Sequence, residues 1–156
     1  CFDNNFDLAC SHYENEINKH GGIGLQLLGI GSNGHIGFNE PTSSLQSRTR
    51  VKTLTKNTLS KNARFFESHE NQPSLAITMG IGTIMEAKNI LLLGLGKHKS
   101  KAVADVIEGP LSAYCPGSVL QNHQNATIVL DHHAASGLKL YDYYIQTEKM
   151  KSKYNC

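Results

Sequence analysis

The sequence LQLLGIGSNGHIGFNEP at residues 25–41 joins a short apolar segment to a glycine-rich loop. Residues 25–28 predict a strand, and the loop 29–37 follows it directly. Residues 90–95 form the most apolar run and predict a central parallel strand, because strands buried on both faces read as continuous apolar runs. Since predicted strands alternate with predicted helices, the sequence predicts an α/β fold: a parallel, Rossmann-like sheet with helices on both faces.

Helical spacing and capping signals predict the remaining elements. Apolar residues recur at helical spacing over residues 6–17, and the Gly21-Gly22 pair can close that helix. Thr58 is a candidate N-cap for a helix that runs through Phe66. Further strands are predicted at 51–54, 75–79 and 127–130, a helix at 99–107 and a polar loop at 67–74.

Length and composition fit one globular domain. The chain has 156 residues, of which 39% are apolar and 18% charged, so we predict a single α/β domain over 1–156. A formal charge of +2 is too small to indicate a nucleic-acid or membrane partner, and the apolar runs are too short to span a bilayer. Four cysteines without metal-ligand spacing favour free thiols and a cytoplasmic location: Cys1, Cys10, Cys115 and Cys156.

The loop after the first predicted strand matches a nucleotide-binding pattern. GIGSNG at 29–34 fits GxGxxG, but a dinucleotide site expects an acidic residue about twenty positions on, where this chain has RVKTL at 50–54. His35, Asn39 and Glu40 follow at once, and a phosphate cradle does not need them. We therefore favour a loop that carries chemistry. Its glycines let backbone N–H groups approach a ligand closely.

His35 and Glu40 are the candidate pair for proton transfer. Imidazole is the side chain best suited to carry a proton near neutral pH, and a nearby carboxylate favours the imidazolium form and fixes the tautomer. The alternative interpretation is a loop histidine hydrogen-bonded to a structural glutamate. The spacing alone leaves both open.

Basic residues cluster in two places. Arg48, Arg50 and Lys52 alternate, so they share one face of an extended segment. Three lysines open the helix after the central strand, where a helix N-terminus and a lysine can bind phosphate: Lys97, Lys99 and Lys101. A solvated face is the alternative for the first and last of these. The histidines other than His35 lack metal-ligand spacing, and we expect no metal site.

Six segments in the same order carry a family resemblance. GIGSNGHIGFNEP, SSLQSRTRVKTL, NARFF, LAITMGIGT, LLLGLGKHK and VLQNH together resemble glucosamine-6-phosphate deaminase, of the glucosamine-6-phosphate isomerase family. The resemblance implies conversion of glucosamine 6-phosphate and water to fructose 6-phosphate and ammonia. It implies a small-molecule sugar phosphate as the partner and no metal or redox cofactor.

The resemblance also implies roles for individual residues. His35 resembles the histidine that helps open the pyranose ring, Glu40 the carboxylate paired with it, and Asn33 a position that is Asp or Asn in the family. Arg64 resembles a phosphate-contacting arginine on a mobile lid. Lys99 resembles the phosphate-contacting lysine.

Two further implications concern regulation and the rest of the enzyme. Ser43, Arg50 and Lys52 resemble a second site at which oligomeric members bind N-acetylglucosamine 6-phosphate, so we expect a homo-oligomer. The family carries an upstream segment whose aspartate moves a proton between C2 and C1. Residues 1–156 are therefore expected to form the C-terminal portion of a longer deaminase domain.

Three alternatives stay open. Galactosamine-6-phosphate deaminase shares NGH and NEP, although the segment SSLQSRTRVKTL favours the glucosamine enzyme. A lactonase of the pentose phosphate route shares the fold but lacks the FNEP continuation. A non-catalytic sugar-phosphate-binding protein without the upstream base belongs to a different class.

Overall fold

A computed structural model describes residues 5–66 and 72–154. The strands are β1 (Gln26–Gly29), β2 (Arg50–Thr53), β3 (Leu75–Thr78), β4 (Ile90–Gly94) and β5 (Ala126–Leu130). The helices are α1 (Phe6–Lys19), α2 (Lys56–Asn62), α3 (Ile81–Met85), α4 (Ser100–Ile107), α5 (His132–Ala135) and α6 (Tyr141–Tyr154). Short 3-10 helices cover Ala63–Phe65, Lys97–Lys99 and Pro116–Asn122.

The parallel sheet has the order β1-β4-β5. β4 pairs with both neighbours in parallel, with Leu92 opposite Leu28 on one side and opposite Ile128 on the other. The apolar run at 90–95 thus forms the central strand, as predicted. The predicted α/β fold, with a parallel sheet flanked by helices, is confirmed.

β2 and β3 lie outside this sheet. They pair antiparallel with each other, with Arg50 opposite Thr78 and Thr53 opposite Leu75. The alternation of strands and helices in the sequence did not indicate this second sheet. Four-residue strands carry too little periodicity to show which partner they pair with.

One face of the parallel sheet carries the core. Leu28, Ile90 and Leu92 are buried there and share a cluster with Val103 and Val106 of α4. Side chains on the opposite face are more exposed: Leu27 by 58%, Leu93 by 38% and Val129 by 47%. The sheet is therefore packed against the core, which includes α4, on one face only among the described residues. Within the described residues, no helix has the length and apolar character needed to cross a membrane.

One capping prediction is wrong. Thr55, not Thr58, is the N-cap of α2, and its side chain accepts a hydrogen bond from the Thr58 N–H. The helix also ends earlier than predicted, at Asn62, and continues as a 3-10 turn over Ala63–Phe65. The helix at 6–17 is confirmed by α1, which the N–H groups of the following Gly21-Gly22 pair close. Residues 67–71 of the predicted polar loop lie outside the described residues.

Candidate active site

The loop that leaves β1 folds back on itself at the carboxyl end of the sheet. The Gly31 N–H donates to the carbonyl of His35 at 2.8 Å, and the Gly34 N–H donates to the carbonyl of Gly31 at 3.0 Å. Gly34 has a φ of 82°, a conformation that favours glycine. A Cβ on Gly31 would overlap the His35 imidazole. Glycine at this position therefore makes room for the ring.

An amide connects the predicted histidine and glutamate. His35 Nδ1 lies 2.7 Å from Asn33 Oδ1, so an imidazole protonated at Nδ1 donates to the amide oxygen. The Asn33 Nδ2 group donates in turn to Glu40 Oε2 at 2.8 Å. His35 Nδ1 and Glu40 Oε2 are themselves 3.3 Å apart. The structure thus brings the three predicted catalytic residues into one network.

Glu40 is held as a carboxylate. Its side chain is only 13% exposed. Burial opposes ionisation, but hydrogen bonds from Asn33 and Thr58 and the nearby His35 outweigh it, so the pKa of the Glu40 carboxyl is lowered. An ionised Glu40 favours the imidazolium form of His35. An imidazole and a carboxylate in this arrangement are suited to proton transfer.

Two threonines, the N-cap Thr55 and Thr58 of α2, complete the surroundings of Glu40. The Thr58 hydroxyl donates to Glu40 Oε1 at 2.7 Å, and the Thr55 hydroxyl lies 3.4 Å from the same oxygen. The sequence predicts Thr58 as the helix cap and does not indicate this role. A signal was available: two threonines three residues apart can divide capping and side-chain bonding between them.

Lys99, in the turn after the neighbouring strand β4, contacts this loop. Its Nζ donates to the carbonyl of Ile30 at 2.6 Å, so the loops after β1 and β4 are joined. Asp131, at the end of β5, accepts from the Gly96 N–H at 2.9 and 3.0 Å and fixes the turn that precedes Lys99. Lys97 is exposed. The position of Asp131, directly after a predicted strand, was the feature of the sequence that could have indicated its contact with this turn.

Arg64 lies apart from this network. It is exposed, and its guanidinium stacks on the Phe65 ring, 4.8 Å from the centroid. Among the described residues, no hydrogen bond joins Arg64 to His35, Asn33 or Glu40. Its predicted contact with a phosphate stays a prediction.

The predicted basic stripe is divided in the structure. Arg48 lies before β2 and forms ion pairs with Glu14 and Glu86 at 2.6 and 2.5 Å, so it belongs to a structural cluster. Arg48 is thus outside the strand that carries Arg50 and Lys52, and its guanidinium is bound by carboxylates distant in sequence. Lys52 is half-buried on β2.

Ser43 and Arg50 have unsatisfied polar atoms. Ser43 Oγ and Arg50 Nη2 are buried, and neither has a hydrogen-bond partner within the described residues. Arg50 Nη1 donates to Asn39 Oδ1 at 2.9 Å. Burial lowers the pKa of the Arg50 guanidinium. Buried polar atoms normally have partners, so these two atoms are exceptions within the described residues.

The thiols and histidines form no metal centre in the described part of the chain. No three His, Cys, Asp or Glu side chains converge there. Cys10 and Cys115 are free cysteines, whereas Cys1 and Cys156 lie outside the described residues.

Sequence comparison identifies the class to which this fold and site belong. The chain belongs to the family described as glucosamine-6-phosphate isomerases/6-phosphogluconolactonase, whose sequence model matches residues 2–129. Within it, the chain is 57% identical to the glucosamine-6-phosphate deaminases of Colwellia psychrerythraea and Shewanella halifaxensis, over 92% of its own length. It spans 53% and 55% of those relatives, about half their length.

Solved structures agree with this placement. The chain matches a monomeric glucosamine-6-phosphate deaminase with a TM-score of 0.82 and 46% identity, over 87% of this chain and 56% of the other. A 6-phosphogluconolactonase from Trypanosoma cruzi matches with a TM-score of 0.60 and 23% identity, over 85% of this chain and 52% of that one. The second likeness concerns the fold alone.

Proposed function

We propose that the full-length protein containing this chain is a glucosamine-6-phosphate deaminase, converting glucosamine 6-phosphate and water to fructose 6-phosphate and ammonia. The observation that carries the proposal is the network of His35, Asn33 and Glu40 at the end of β1. Identity of 57% to two proteins of that name supports the choice of reaction.

The network fits the opening of the sugar ring. Opening removes the proton of the anomeric hydroxyl, delivers a proton to the ring oxygen and breaks the C1–O5 bond. His35 carries that proton through Nε2, because Nδ1 faces Asn33 and Glu40. Glu40 stabilises the charge that the imidazole gains. These three residues therefore act in ring opening.

Isomerisation and hydrolysis follow ring opening. A base takes the C2 proton and delivers it to C1 while a proton passes from the amino nitrogen to O1, which converts the open amino aldehyde to a C2 imine. Water then adds to C2, and cleavage of the C–N bond releases ammonia. Lys99 holds the phosphate, helped by Arg64 from the segment after α2.

Two related activities are less well supported. The identity to deaminases is 57%, against 23% to the lactonase structure with the same fold, which favours the deaminase. Galactosamine 6-phosphate differs from the proposed substrate only in the configuration at C4. Comparing the two sugars in one assay separates the sibling activities.

We further propose that Ser43, Arg50 and Lys52 form a second site for a phosphorylated sugar. The unsatisfied Ser43 Oγ and Arg50 Nη2 support it, since each is a hydrogen-bond donor and phosphate oxygens are acceptors. Such a site is regulatory, and a homo-oligomer with cooperative kinetics is the form in which it would act. One similar solved structure is of a monomeric deaminase, so light scattering on the full-length protein is the direct test.

The decisive experiment is a coupled assay of fructose 6-phosphate formation by the full-length protein. Turnover of glucosamine 6-phosphate, with hydrolysis of 6-phosphogluconolactone at background, is the expected result. Calorimetry with glucosamine 6-phosphate identifies the third class, a protein that binds the sugar without turning it over. Lactone hydrolysis without deamination would overturn the proposal.

A further inference from the structure

The two oxygens of the Glu40 carboxylate face different partners. Oε2 accepts from the Asn33 amide and lies nearest to His35 Nδ1. Oε1 accepts from the Thr58 hydroxyl at 2.7 Å, with the Thr55 hydroxyl at 3.4 Å. The carboxylate is therefore held from two sides, by the loop after β1 and by the first turn of α2.

Thr58 is built for this contact. It is 7% exposed, and its backbone N–H already has a partner in Thr55 Oγ1 at 3.2 Å. Its hydroxyl lies 3.0 Å from Thr55 Oγ1, from which it can accept, and donates its own proton to Glu40. Since a hydroxyl has a single proton, an ionised Glu40 is the state that this arrangement stabilises.

We propose that Thr58 is a positioning residue of the site, whose hydroxyl keeps the Glu40 carboxylate turned towards Asn33 and His35. Rotation of the carboxylate about its terminal torsion is soft, so without a partner on Oε1 the oxygens can leave the Asn33 amide. The inference rests on the proposed function for its catalytic meaning. The contact itself rests on geometry alone.

The position of Thr58 in the chain gives the contact a further consequence. Thr58 and the predicted phosphate ligand Arg64 belong to one short segment, α2 and the 3-10 turn that follows it. A shift of this segment changes the distance between Thr58 and Glu40.

The test is a pH titration of the Glu40 side-chain carboxyl carbon by NMR in the full-length protein. His35 is the titratable group whose charge acts on Glu40 among the described residues, so its ring signals are followed in the same series. Thr58→Val removes the hydroxyl and keeps the shape. It should move the Glu40 titration to higher pH, and Thr58→Ser should restore it. Thr53→Val, the same change at an exposed end of β2, is the matched control.

A second measurement needs no variant. In the unsubstituted chain the Thr58 hydroxyl proton should be protected from solvent exchange while Glu40 is ionised, and should lose protection when Glu40 is protonated. This keeps the proposal testable if Thr58→Val does not fold. An unprotected hydroxyl at neutral pH would overturn it, as would an unchanged Glu40 titration in a folded Thr58→Val chain.

Kinetics of the full-length enzyme separate this inference from the proposed function. Thr58→Val should lower kcat on the order of tenfold, the ratio associated with a hydrogen bond to a charged group, and change KM less than twofold. Thr58→Ser should recover kcat. If the unsubstituted enzyme shows no turnover, the proposed function fails, while the Glu40 titration still decides whether Thr58 positions the carboxylate.

Discussion

His35 Nδ1 and Glu40 Oε2 lie 3.3 Å apart, and the Asn33 amide joins them through two shorter contacts of 2.7 and 2.8 Å. A neutral amide between an imidazole and a carboxylate transmits orientation without adding charge. It accepts from one partner and donates to the other, so only one amide orientation satisfies both. This orientation places a proton on His35 Nδ1, the ring nitrogen that faces the Asn33 amide oxygen.

Replacement of His35 tests the ring-opening role. His35→Gln should lower kcat by about 10²- to 10⁴-fold, the range for loss of a general acid–base, because glutamine cannot carry a proton. Binding of glucosamine 6-phosphate should persist. The measurements are the coupled fructose 6-phosphate assay and calorimetry on the full-length enzyme. His20→Gln, at the exposed end of α1, is the control, and unchanged turnover in His35→Gln would refute the assignment.

Gly31 provides a steric test of the same ring. Gly31→Ala places a Cβ in the space of the His35 imidazole, which has to move. Since displacement of a reacting group by about 1 Å can cost about 10²-fold, turnover should fall by that order. Gly29→Ala is the matched control, because a Cβ there meets no atom within 4 Å. Equal activity of the two alanine variants would show that the imidazole need not lie over Gly31.

Lys99 and Lys97 allow the phosphate contact to be separated from general charge. Lys99→Met should weaken binding of glucosamine 6-phosphate by about 10- to 100-fold, the value of a charge-assisted hydrogen bond. Lys97→Met removes the same charge two residues earlier, from an exposed position, and should change affinity less than about threefold at moderate salt. Calorimetry measures both. Similar losses of affinity in the two variants would contradict a specific contact of Lys99 with the phosphate and indicate that only the overall positive charge matters.

The lowered pKa of Glu14 predicts how the free energy of unfolding changes at acidic pH. Burial opposes its ionisation, but hydrogen bonds from Thr49, Thr83 and Arg48 prevail, and the pKa of Glu14 is lowered. A lowered native pKa stabilises the fold above the unfolded pKa of about 4.3, and this contribution is lost as the pH falls through the native value.

Glu14→Gln should therefore reduce the free energy of unfolding by about 2 kcal/mol at pH 7. The difference from the unsubstituted chain should shrink as the pH falls below about 4. Urea unfolding over a pH series measures it. Glu16→Gln on the same helix, whose side chain is 39% exposed, is the control and should change stability by less than about 0.5 kcal/mol. A pH-independent loss in Glu14→Gln would contradict the ionised form.

The sequence predicted features that depend on local pattern. The apolar run at residues 90–95 predicted the central strand. His35 and Glu40 were predicted as site residues because a loop that only binds phosphate does not need them. Contacts between distant segments were not visible. Arg48 alternates with Arg50 along the chain, yet its guanidinium forms ion pairs with Glu14 of α1 and with Glu86.

The capping error has a physical origin. Thr55 and Thr58 are equally able to cap α2 by residue type, and the hydroxyls of both lie near Glu40 Oε1, at 3.4 and 2.7 Å, on a residue that approaches from another loop. Functional contacts of this kind follow from tertiary packing, so a reading of one segment cannot assign them.

The parallel pairing of β1 with β4 also determines when the site can form during folding. Gln26 pairs with Ile90, which is distant in sequence, and the Gly34 carbonyl accepts a hydrogen bond from the still more distant N–H of Gly117. Closing such long loops is slow compared with forming local helices. We therefore expect the segment that holds His35 to become ordered late, and substitutions there to alter unfolding rates more than folding rates, which stopped-flow kinetics measures.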